Sequence, residues 1–357
     1  MKLLSICIPT YNRCDVLKEN ISHLISSENM NFEIVVSDDA STDNTFDVVN
    51  QFSDTRIKYY RNKINYGAAY NIHLSFMRAS SKYMLLMSDE DLIDTDSIDY
   101  LIELLKQEKP IAYIGSGDRI VDKKIFDDDK FENNGYGILK KYGFNIRYMS
   151  GILMDTNKYK EVVGNVEFTE AGRLFNSYSF LYGLTKLFFK GKVLFDSRII
   201  YKQIKTFPTR KNNNSPNTPS VYYFEPAGRM DQMKCYIRQI SKLNMTLDEK
   251  IDIAIKVAYD QTLLCFRVFD TTYLKKLNNF INQEDYYNMS KHIMGVKLDE
   301  IIDNMYNEAI ASILENFDLN LDYKKTLEND RRIIQQKSTL YKKAKKLNYE
   351  GKICTKK

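Results

Sequence analysis

Tryptophan is absent from this 357-residue chain, and histidine, cysteine and proline are scarce, with three, five and six residues respectively. The histidines are isolated, and no Cys-x-x-Cys pair occurs. A histidine-rich metal site, a thiolate zinc site and a disulfide framework are therefore not expected. Any bound metal ion would have carboxylate ligands, which favours Mg²⁺ or Mn²⁺.

Long apolar runs are also missing. The longest, such as residues 83–87, have about five residues, whereas a membrane-spanning helix needs about 20. The first apolar run ends at Pro9, before a signal-peptide core could form, and no small-residue cleavage site follows. Apolar residues at 43% and charged residues at 28% are ordinary for a globular protein. We expect a cytosolic protein with one large α/β domain and a smaller one.

Basic residues are concentrated near the C-terminus. Residues 324–357 contain twelve Lys or Arg and three acidic residues, a net charge of +9, whereas the whole chain carries +5. The other 323 residues therefore carry −4. This basic tail is interpreted either as a solvated helical or flexible segment or as a peripheral contact to an anionic membrane surface. Nucleic acid is not expected as a partner, because no nucleic-acid-binding module accompanies the tail.

Short apolar segments alternate with helical patterns over the first 120 residues. The predicted strands occupy residues 3–8, 32–36, 57–60, 83–87 and 111–114. This alternation predicts a parallel sheet covered on both faces, with ligands at the carboxyl ends of the strands. Polar clusters follow the first, second and fourth of these strands, so we expect the functional site there.

The second half of the chain differs in character. Residues 205–222 hold three of the six prolines and predict a long loop, and helical spacing prevails after residue 226. We predict an α/β domain over 1–225, a smaller all-helical domain over 226–323 and the basic tail over 324–357. The late helices are also the expected surface for a homo-oligomer.

The acidic run Asp89-Glu90-Asp91 follows a predicted buried strand. In an extended segment alternate side chains share a side, so Asp89 and Asp91 are expected to point together and Glu90 away. Two carboxylates on one side can hold a divalent cation that also binds substrate phosphates. The other interpretation is a solvated loop that caps the next helix.

Two further polar clusters follow the first and second strands. Asp38 and Asp39 either accept hydrogen bonds from a nucleobase or ribose or cap the helix that follows. Tyr11 offers an aromatic face to a base, and Arg13 offers its charge to a phosphate or to a structural carboxylate.

In order and spacing these segments resemble the family 2 glycosyltransferases of the GT-A fold. The resemblance is carried by the segments SICIPTYNR (5–13), FEIVVSDDASTD (32–43), NYG (65–67) and MSDED (87–91). Over residues 3 to about 120, and more weakly to 225, the chain is similar to bacterial enzymes that add sugars to surface polysaccharides, the abequosyltransferase-like branch among them. The resemblance implies an enzyme with a Rossmann-like, mostly parallel central sheet and flanking helices, which takes its sugar from a nucleotide-sugar donor.

The resemblance also implies roles for single residues. Pro9 and Tyr11 match positions that hold the uracil ring of a UDP-sugar. Asp38 matches the carboxylate that bonds the base, and Asn71 the position that faces the nucleotide. The neighbouring residues included in the predicted nucleotide-sugar site are Asn12, Arg13, Asp39 and Glu90.

For the chemical step, Asp89 matches the contact to ribose or donor sugar, and Asp91 matches the metal ligand on the diphosphate, with Asp89 beside it in the metal site. Such enzymes invert the anomeric centre by direct displacement. Mn²⁺ or Mg²⁺ stabilises the leaving diphosphate, and a carboxylate base takes the acceptor's proton. The implied acceptor is a bacterial surface glycan, a teichoic-acid-like polymer or a lipid-linked precursor, met at the inner face of the cell membrane.

The sequence departs from the family pattern where the base is expected, because no Glu-Asp pair occurs between residues 140 and 200. Glu170 is the predicted base, with Glu167 and Asp155 as alternatives. Arg210 and Lys211, in the long loop, are predicted to contact the diphosphate or an acceptor phosphate.

Other interpretations remain open. The unassigned base suggests a non-catalytic glycan-binding or assembly subunit on the same scaffold. A nucleotidyltransferase is disfavoured because residues 9–13 contain no glycine, and a nicotinamide enzyme because no Gly-x-Gly-x-x-Gly follows a strand. A processive membrane synthase is not expected without tryptophan or spanning helices.

Overall fold

The computed structural model describes residues 2–118, 125–144, 146, 149–164, 179–203, 226–267 and 297–354. The chain divides into two compact units. The first comprises Met1–Ile138 and Ile146–Asn217, and the second comprises Leu139–Asn145 and Thr218–Lys357.

The first unit alternates strands and helices. Up to residue 108 its elements are β1 (Leu4–Thr10), α1 (Cys14–Ile25), β2 (Phe32–Asp38), α2 (Thr45–Asn50), β3 (Ile57–Arg61), α3 (Ala68–Arg78), β4 (Tyr83–Leu86), β5 (Asp91–Ile93) and α4 (Thr95–Glu108). They are followed by β6 (Ala112–Asp118), β7 (Asp129–Glu132), α5 (Gly135–Tyr142), β8 (Ile152–Asp155), α6 (Thr156–Val163), α7 (Ser179–Leu187) and β9 (Lys192–Gln203). The division between the two units falls within α5.

The described strands form one nine-stranded sheet in the order β3-β2-β1-β4-β8-β6-β9-β5, with β7 beside β9. Strands β1 to β4 run parallel, and Ile6 is level with Ile34 on β2 and with Leu85 on β4. The side chains of β2 and β4 are buried throughout, as in parallel strands covered on both faces. The predicted α/β class, with a central sheet and flanking helices, is confirmed.

The expected parallel pairing covers only part of this sheet. β8 runs antiparallel to β4 and β6, and β9 runs antiparallel to β5 and β7, while β6 and β9 are parallel. Helical crossovers join the first four strands and make them parallel. The sheet is therefore parallel on one side and mixed on the other.

Apolar stripes hold α1 and α4 in the core of this unit. Leu17 and Ile21 of α1 and Ile98 and Leu101 of α4 are fully buried and belong to one cluster with strand residues. Burial of each such side chain contributes about 1.5–3 kcal/mol relative to exposure. This packing fixes the start of α1 close to the ends of the central strands.

The second unit is helical, as predicted for the C-terminal region. Its named helices are α8 (Pro226–Ser241), α9 (Leu247–Arg267), α10 (Leu298–Asn316), α11 (Asp322–Glu328) and α12 (Arg331–Cys354). Helices α8, α9 and α10 contact one another, and α12 contacts α9 and α10. Within the described part of the chain, no helix is both long and apolar enough to span a membrane.

Candidate functional site

The carboxyl ends of β1, β2 and β4 lie side by side at one edge of the sheet, here called the carboxyl edge. Thr10 at the end of β1 is level with Asp38 at the end of β2. On the other side of β1, the Met87 N–H donates to the Cys7 carbonyl at 3.0 Å. The polar clusters that follow these three strands therefore meet at this edge.

Arg13 joins two members of the acidic cluster. Its Nη1 atom lies 2.8 Å from Asp89 Oδ1 and 3.1 Å from Glu90 Oε2. Thr10 Oγ1 donates to the other oxygen of Asp89, Oδ2, at 2.8 Å. The expectation that Glu90 points away from Asp89 towards a separate side is wrong, since both carboxylates meet the same guanidinium.

A turn explains this arrangement. The Asp91 N–H donates to the Ser88 carbonyl at 3.2 Å, so residues 89–90 are not extended and strict alternation does not apply. Asp91 is fully buried, and Ser150 Oγ donates to its Oδ2 atom at 2.6 Å. The same hydroxyl accepts from the Ser88 N–H at 2.8 Å. Ser150 thus fixes both ends of the acidic loop, which we define as residues 88–91.

Ser150 reaches the acidic loop because β8 begins at the carboxyl edge. β8 is antiparallel to β4, and the Gly151 N–H donates to the Leu86 carbonyl at 3.1 Å. Gly151 has φ of +84°, a conformation that favours glycine. A Cβ atom there would lie 2.7 Å from the Tyr201 ring. Glycine therefore lets the chain turn from Ser150 into β8.

Asn20 holds the backbone of the acidic loop from the side of α1. Its Nδ2 atom lies 2.7 Å from the Asp91 carbonyl, 3.2 Å from that of Asp89 and 3.4 Å from that of Ser88. Sequence reasoning missed both Asn20 and Ser150. For Asn20 the sequence does contain a signal, because a polar residue interrupts the apolar stripe of α1. In the structure Asn20 is only 1% exposed.

The charge on Asp89 is disfavoured in this position. Burial raises the pKa of its carboxyl above the ordinary value, the Arg13 guanidinium opposes that shift, and the neighbouring Glu90 carboxylate adds to it. The net direction is upward. A buried, crowded carboxylate of this kind is typical of functional sites, because a cationic or hydrogen-bonding ligand relieves the unfavourable charge.

Asp38, at the end of β2, is hydrogen-bonded through both of its oxygens to protein groups. Its Oδ1 atom accepts from the Ser41 N–H at 2.9 Å and from the Ser41 hydroxyl, and Oδ2 accepts from the Tyr59 hydroxyl. Arg61 Nε lies 3.8 Å from the same Oδ2 atom. With 0% exposure, Asp38 holds the loop that follows β2 in place.

Asp39 stabilises the turn that precedes α3 by accepting hydrogen bonds. It accepts from Asn62 Nδ2 at 2.8 Å, from the Tyr66 N–H at 2.9 Å and from the Gly67 N–H at 2.8 Å. Burial raises the pKa of Asp39, although these three hydrogen bonds oppose the shift. Asp38, its neighbour, adds a further upward contribution.

Asn71 lies beneath the carboxyl edge rather than on it. Its Nδ2 atom donates to the Ser37 carbonyl at 2.8 Å and to the Thr10 carbonyl at 3.3 Å. Its Oδ1 atom accepts from Ser37 Oγ at 2.6 Å and Asn62 Nδ2 at 3.2 Å. A side-chain amide has two donor hydrogens and two acceptor positions, so Asn71 is fully used in joining β1, β2 and α3.

The segment after β1 lies against the loop after β2. Asn12 has φ of +52°, and its Oδ1 atom accepts from the Thr42 N–H at 2.7 Å. Its own N–H donates to Ser41 Oγ at 2.9 Å. Tyr11 is half-buried at the same edge, and Pro9 is level with Ser37. The hydrogen bonds of Asn12 thus hold the segment after β1 and the loop after β2 together at the carboxyl edge.

The described residues contain no group of three or more His, Cys, Asp and Glu side chains arranged to hold a metal ion. Of the predicted base residues, Asp155 lies at the opposite end of the sheet, where its Oδ1 atom accepts from the Lys158 N–H at 2.9 Å and caps α6. The other predicted residues, Glu167, Glu170, Arg210 and Lys211, lie outside the described residues.

Comparison with known proteins shows which family the first part of the chain resembles. Residues 5–159 match the family described as glycosyl transferase family 2. Over this range, which is less than half of the chain, the sequence is similar to family 2 glycosyltransferases, as the sequence resemblance implied. The matched range includes the segment after β1, the loop after β2, the acidic loop and Ser150.

Curated relatives resemble parts of the chain. The Escherichia coli protein WfaP, named UDP-Glc:alpha-D-GlcNAc-diphosphoundecaprenol beta-1,3-glucosyltransferase, is 28% identical over 145 residues, which cover 40% of this chain and 57% of that protein. Abequosyltransferase RfbV of Salmonella typhimurium is 33% identical over 114 residues, covering 30% of this chain and 34% of that protein. The chain thus spans only between a third and three-fifths of these relatives.

A solved structure shares the fold over nearly the whole chain. S. aureus TarS 1–349, in complex with UDP-GlcNAc, aligns with a TM-score of 0.59 and 14% identity, covering 98% of this chain and 92% of that one. The likeness confirms the GT-A fold.

Proposed function

We propose that this chain is an inverting, metal-dependent glycosyltransferase that moves a sugar from a UDP-sugar to a lipid-linked glycan or surface polymer of a bacterium. The observation that carries the proposal is the acidic loop, whose buried carboxylates are held at the carboxyl edge of a family 2 domain. The named donor and acceptor of WfaP, UDP-Glc and a diphosphoundecaprenol-linked sugar, support this choice. TarS in complex with UDP-GlcNAc supports a UDP donor.

For the nucleotide, we assign the uracil contact to Pro9 and Tyr11. Both lie at the carboxyl edge, and Tyr11 provides an aromatic face. The carboxylate of Asp38 already accepts hydrogen bonds from Ser41 and Tyr59. We therefore assign Asp38 to holding the loop that frames the base.

For the metal ion, the ligand chemistry fits. Asp91 and Asp89 offer hard carboxylate oxygens of the kind that Mg²⁺ and Mn²⁺ bind. Asp89 is ion-paired with Arg13, so Asp91 is the proposed principal ligand and Asp89 the contact to ribose or donor sugar. When bound, the ion would balance the charge of the leaving diphosphate. Asn20 and Ser150 keep Asp91 oriented by holding the loop on both sides.

Inversion also needs a base that removes the acceptor's proton. Asp155 is too distant for this role, because it lies at the far end of β8. We propose Glu170 as the base, with Glu167 as its alternative, and Arg210 and Lys211 as contacts to the diphosphate. The acceptor would be met at the inner face of the cell membrane.

Calorimetric titration of UDP into the purified chain, with and without Mn²⁺, tests the donor site. We expect binding that depends on the metal and is followed by release of UDP when a matching UDP-sugar and acceptor are supplied. If UDP, GDP, CDP and dTDP all fail to bind, the donor-site assignment is wrong. If UDP-sugar binds but no acceptor or water ever receives the sugar, a glycan-binding subunit is the better interpretation.

A further inference from the structure

Helix α12 presents an unusual charge pattern. Residues 331–347 contain seven basic residues and no acidic residue. Two of the seven are paired within the second unit: Arg332 with Asp330 at 2.7 Å, and Lys337 with Asp303 at 2.6 Å. The other five are exposed and have no ion pair to a described residue: Arg331, Lys342, Lys343, Lys345 and Lys346. We call these five residues the basic face.

The basic face occupies one side of the helix. At about 100° per residue, Arg331, Lys342, Lys345 and Lys346 fall within an arc of about 100°, and Lys343 flanks it. The buried residues of α12 lie on the opposite side: Ile333, Leu340 and Ala344. Because these anchor α12 to its own unit, the basic face is directed outward.

An exposed apolar residue borders this face. Ile334 is 53% exposed and lies on the same side of α12 as Lys345. An interfacial helix combines basic side chains that reach anionic headgroups with apolar side chains that enter the acyl boundary. A nucleic acid would use the lysines but would gain nothing from an exposed isoleucine, so the pattern favours a lipid surface.

We propose that the basic face of α12 docks the chain onto a membrane that contains anionic lipids. The proposal rests on the proposed function only in that a lipid-linked acceptor would lie in such a membrane. The lysines supply long-range attraction. Each basic residue near the membrane surface increases the binding constant about fivefold. Ile334 adds a short-range apolar contact.

Vesicle co-sedimentation of the full chain tests the surface. The probes are vesicles of phosphatidylcholine alone and of phosphatidylcholine with about 30% phosphatidylglycerol, at low and at physiological salt. We expect binding only to the anionic vesicles, weakened by salt. The quadruple variant K342Q/K343Q/K345Q/K346Q should bind at least tenfold more weakly, and Ile334→Ser should weaken binding less. Glutamine keeps helix propensity, and far-UV circular dichroism checks the fold.

A matched control removes the same charge elsewhere. Lys18, Lys58, Lys106 and Lys109 are exposed residues of the first unit, and their replacement by glutamine should leave vesicle binding within twofold. Equal loss in both quadruple variants, unchanged binding of the α12 variant, or binding to neutral vesicles would overturn the proposal. So would stronger binding to single-stranded RNA than to the anionic vesicles. UDP binding, measured on the same samples, should survive the α12 changes, which separates failure of this surface from failure of the donor site.

Discussion

Buried carboxylates at the two ends of the central strands differ in the direction of their pKa shifts. We call the end opposite the carboxyl edge the amino edge. Glu33 at the amino edge and Asp39 and Asp89 at the carboxyl edge are similarly buried, at 4%, 2% and 3% exposure. Burial by itself raises all three pKa values. At Glu33, hydrogen bonds from Ser5 and Ser80 outweigh burial, and the net pKa falls below its ordinary value. At the other two, burial prevails.

Neighbouring charges account for part of this contrast. Lys2 helps to lower the pKa of Glu33, whereas Asp38 raises the pKa of Asp39. At Asp89 the Arg13 guanidinium lowers the pKa and the Glu90 carboxylate raises it. Carboxylates therefore lie close together at the carboxyl edge, with Arg13 as a partial counter-charge. We infer that the amino edge serves stability and that the carboxyl edge accepts unfavourable charge, which a bound cation or donor group would relieve.

The largest effect is expected for Asp91→Asn. The amide oxygen can still accept the hydrogen bond from Ser150, but the charge is lost. We expect metal-dependent UDP binding to weaken at least tenfold and sugar transfer to fall at least about 100-fold, with a change of less than about 1 kcal/mol in the free energy of unfolding. Calorimetry, a UDP-release assay and urea denaturation measure the three quantities.

Glu33→Gln is the matched control for this change, since it removes a buried charge at the opposite edge. Its UDP binding should equal that of the wild type. Should both variants lose UDP binding to the same degree, or Asp91→Asn keep full transfer activity, the functional difference between the two edges would not exist.

The next effect in size is expected for Asn20→Leu, which removes the donor from three loop carbonyls at nearly constant volume. We expect a loss of about 1–3 kcal/mol in stability, transfer slowed about tenfold, and a raised dissociation constant for Mn²⁺. The last readout matters, because a purely structural role would leave the metal affinity of the folded protein unchanged. Gln261→Met, a buried amide in the second unit, is the control and should leave the Mn²⁺ affinity intact.

Much of the fold followed from local sequence signals. Apolar runs between polar clusters predicted β1 to β4, and the same signals placed polar residues at their ends. The strands β5 and β7 were not predicted, because they are only three and four residues long and their place depends on pairing with β9. The antiparallel direction of β8 likewise depends on pairing with β4 and β6, which are distant in sequence.

The site was predicted less completely than the fold. The sequence indicated Asp89, Glu90 and Asp91, but the turn that brings Glu90 to Arg13 depends on hydrogen bonds from Asn20 and Ser150, which are distant in sequence. Ser150 lies 59 residues from Asp91 along the chain, so no local pattern joins them. For Asn71, the sequence indicated a position near the carboxyl edge but could not reveal that its side-chain amide is fully hydrogen-bonded within the protein.

A smaller, pH-dependent effect is expected at the amino edge. The pKa of Glu33 is lowered from an ordinary value of about 4.5, so its charged form stabilises the fold above that pH, and this contribution is lost as the pH falls through the lowered pKa. Glu33→Gln should cost about 1–3 kcal/mol near pH 7 and progressively less below pH 4.5. Urea titrations from pH 3 to 7 measure the difference between the two proteins, with exposed Glu103→Gln as control. A difference that grows on acidification would contradict the assigned direction.

The smallest effect separates capping from catalysis at Asp155. Asp155→Ala should cost about 1 kcal/mol in stability, because the first turn of α6 loses its cap, whereas Asp155→Asn keeps an acceptor for the Lys158 N–H and should cost only a few tenths. Neither variant should change sugar transfer, while Glu170→Gln should reduce it strongly if Glu170 is the base. Thermal unfolding and the UDP-release assay measure the two properties. A large loss of transfer in Asp155→Asn, with stability retained, would identify Asp155 at the amino edge as the base. The amino edge would then supply a group to the reaction, and the functional contrast between the two edges would be lost.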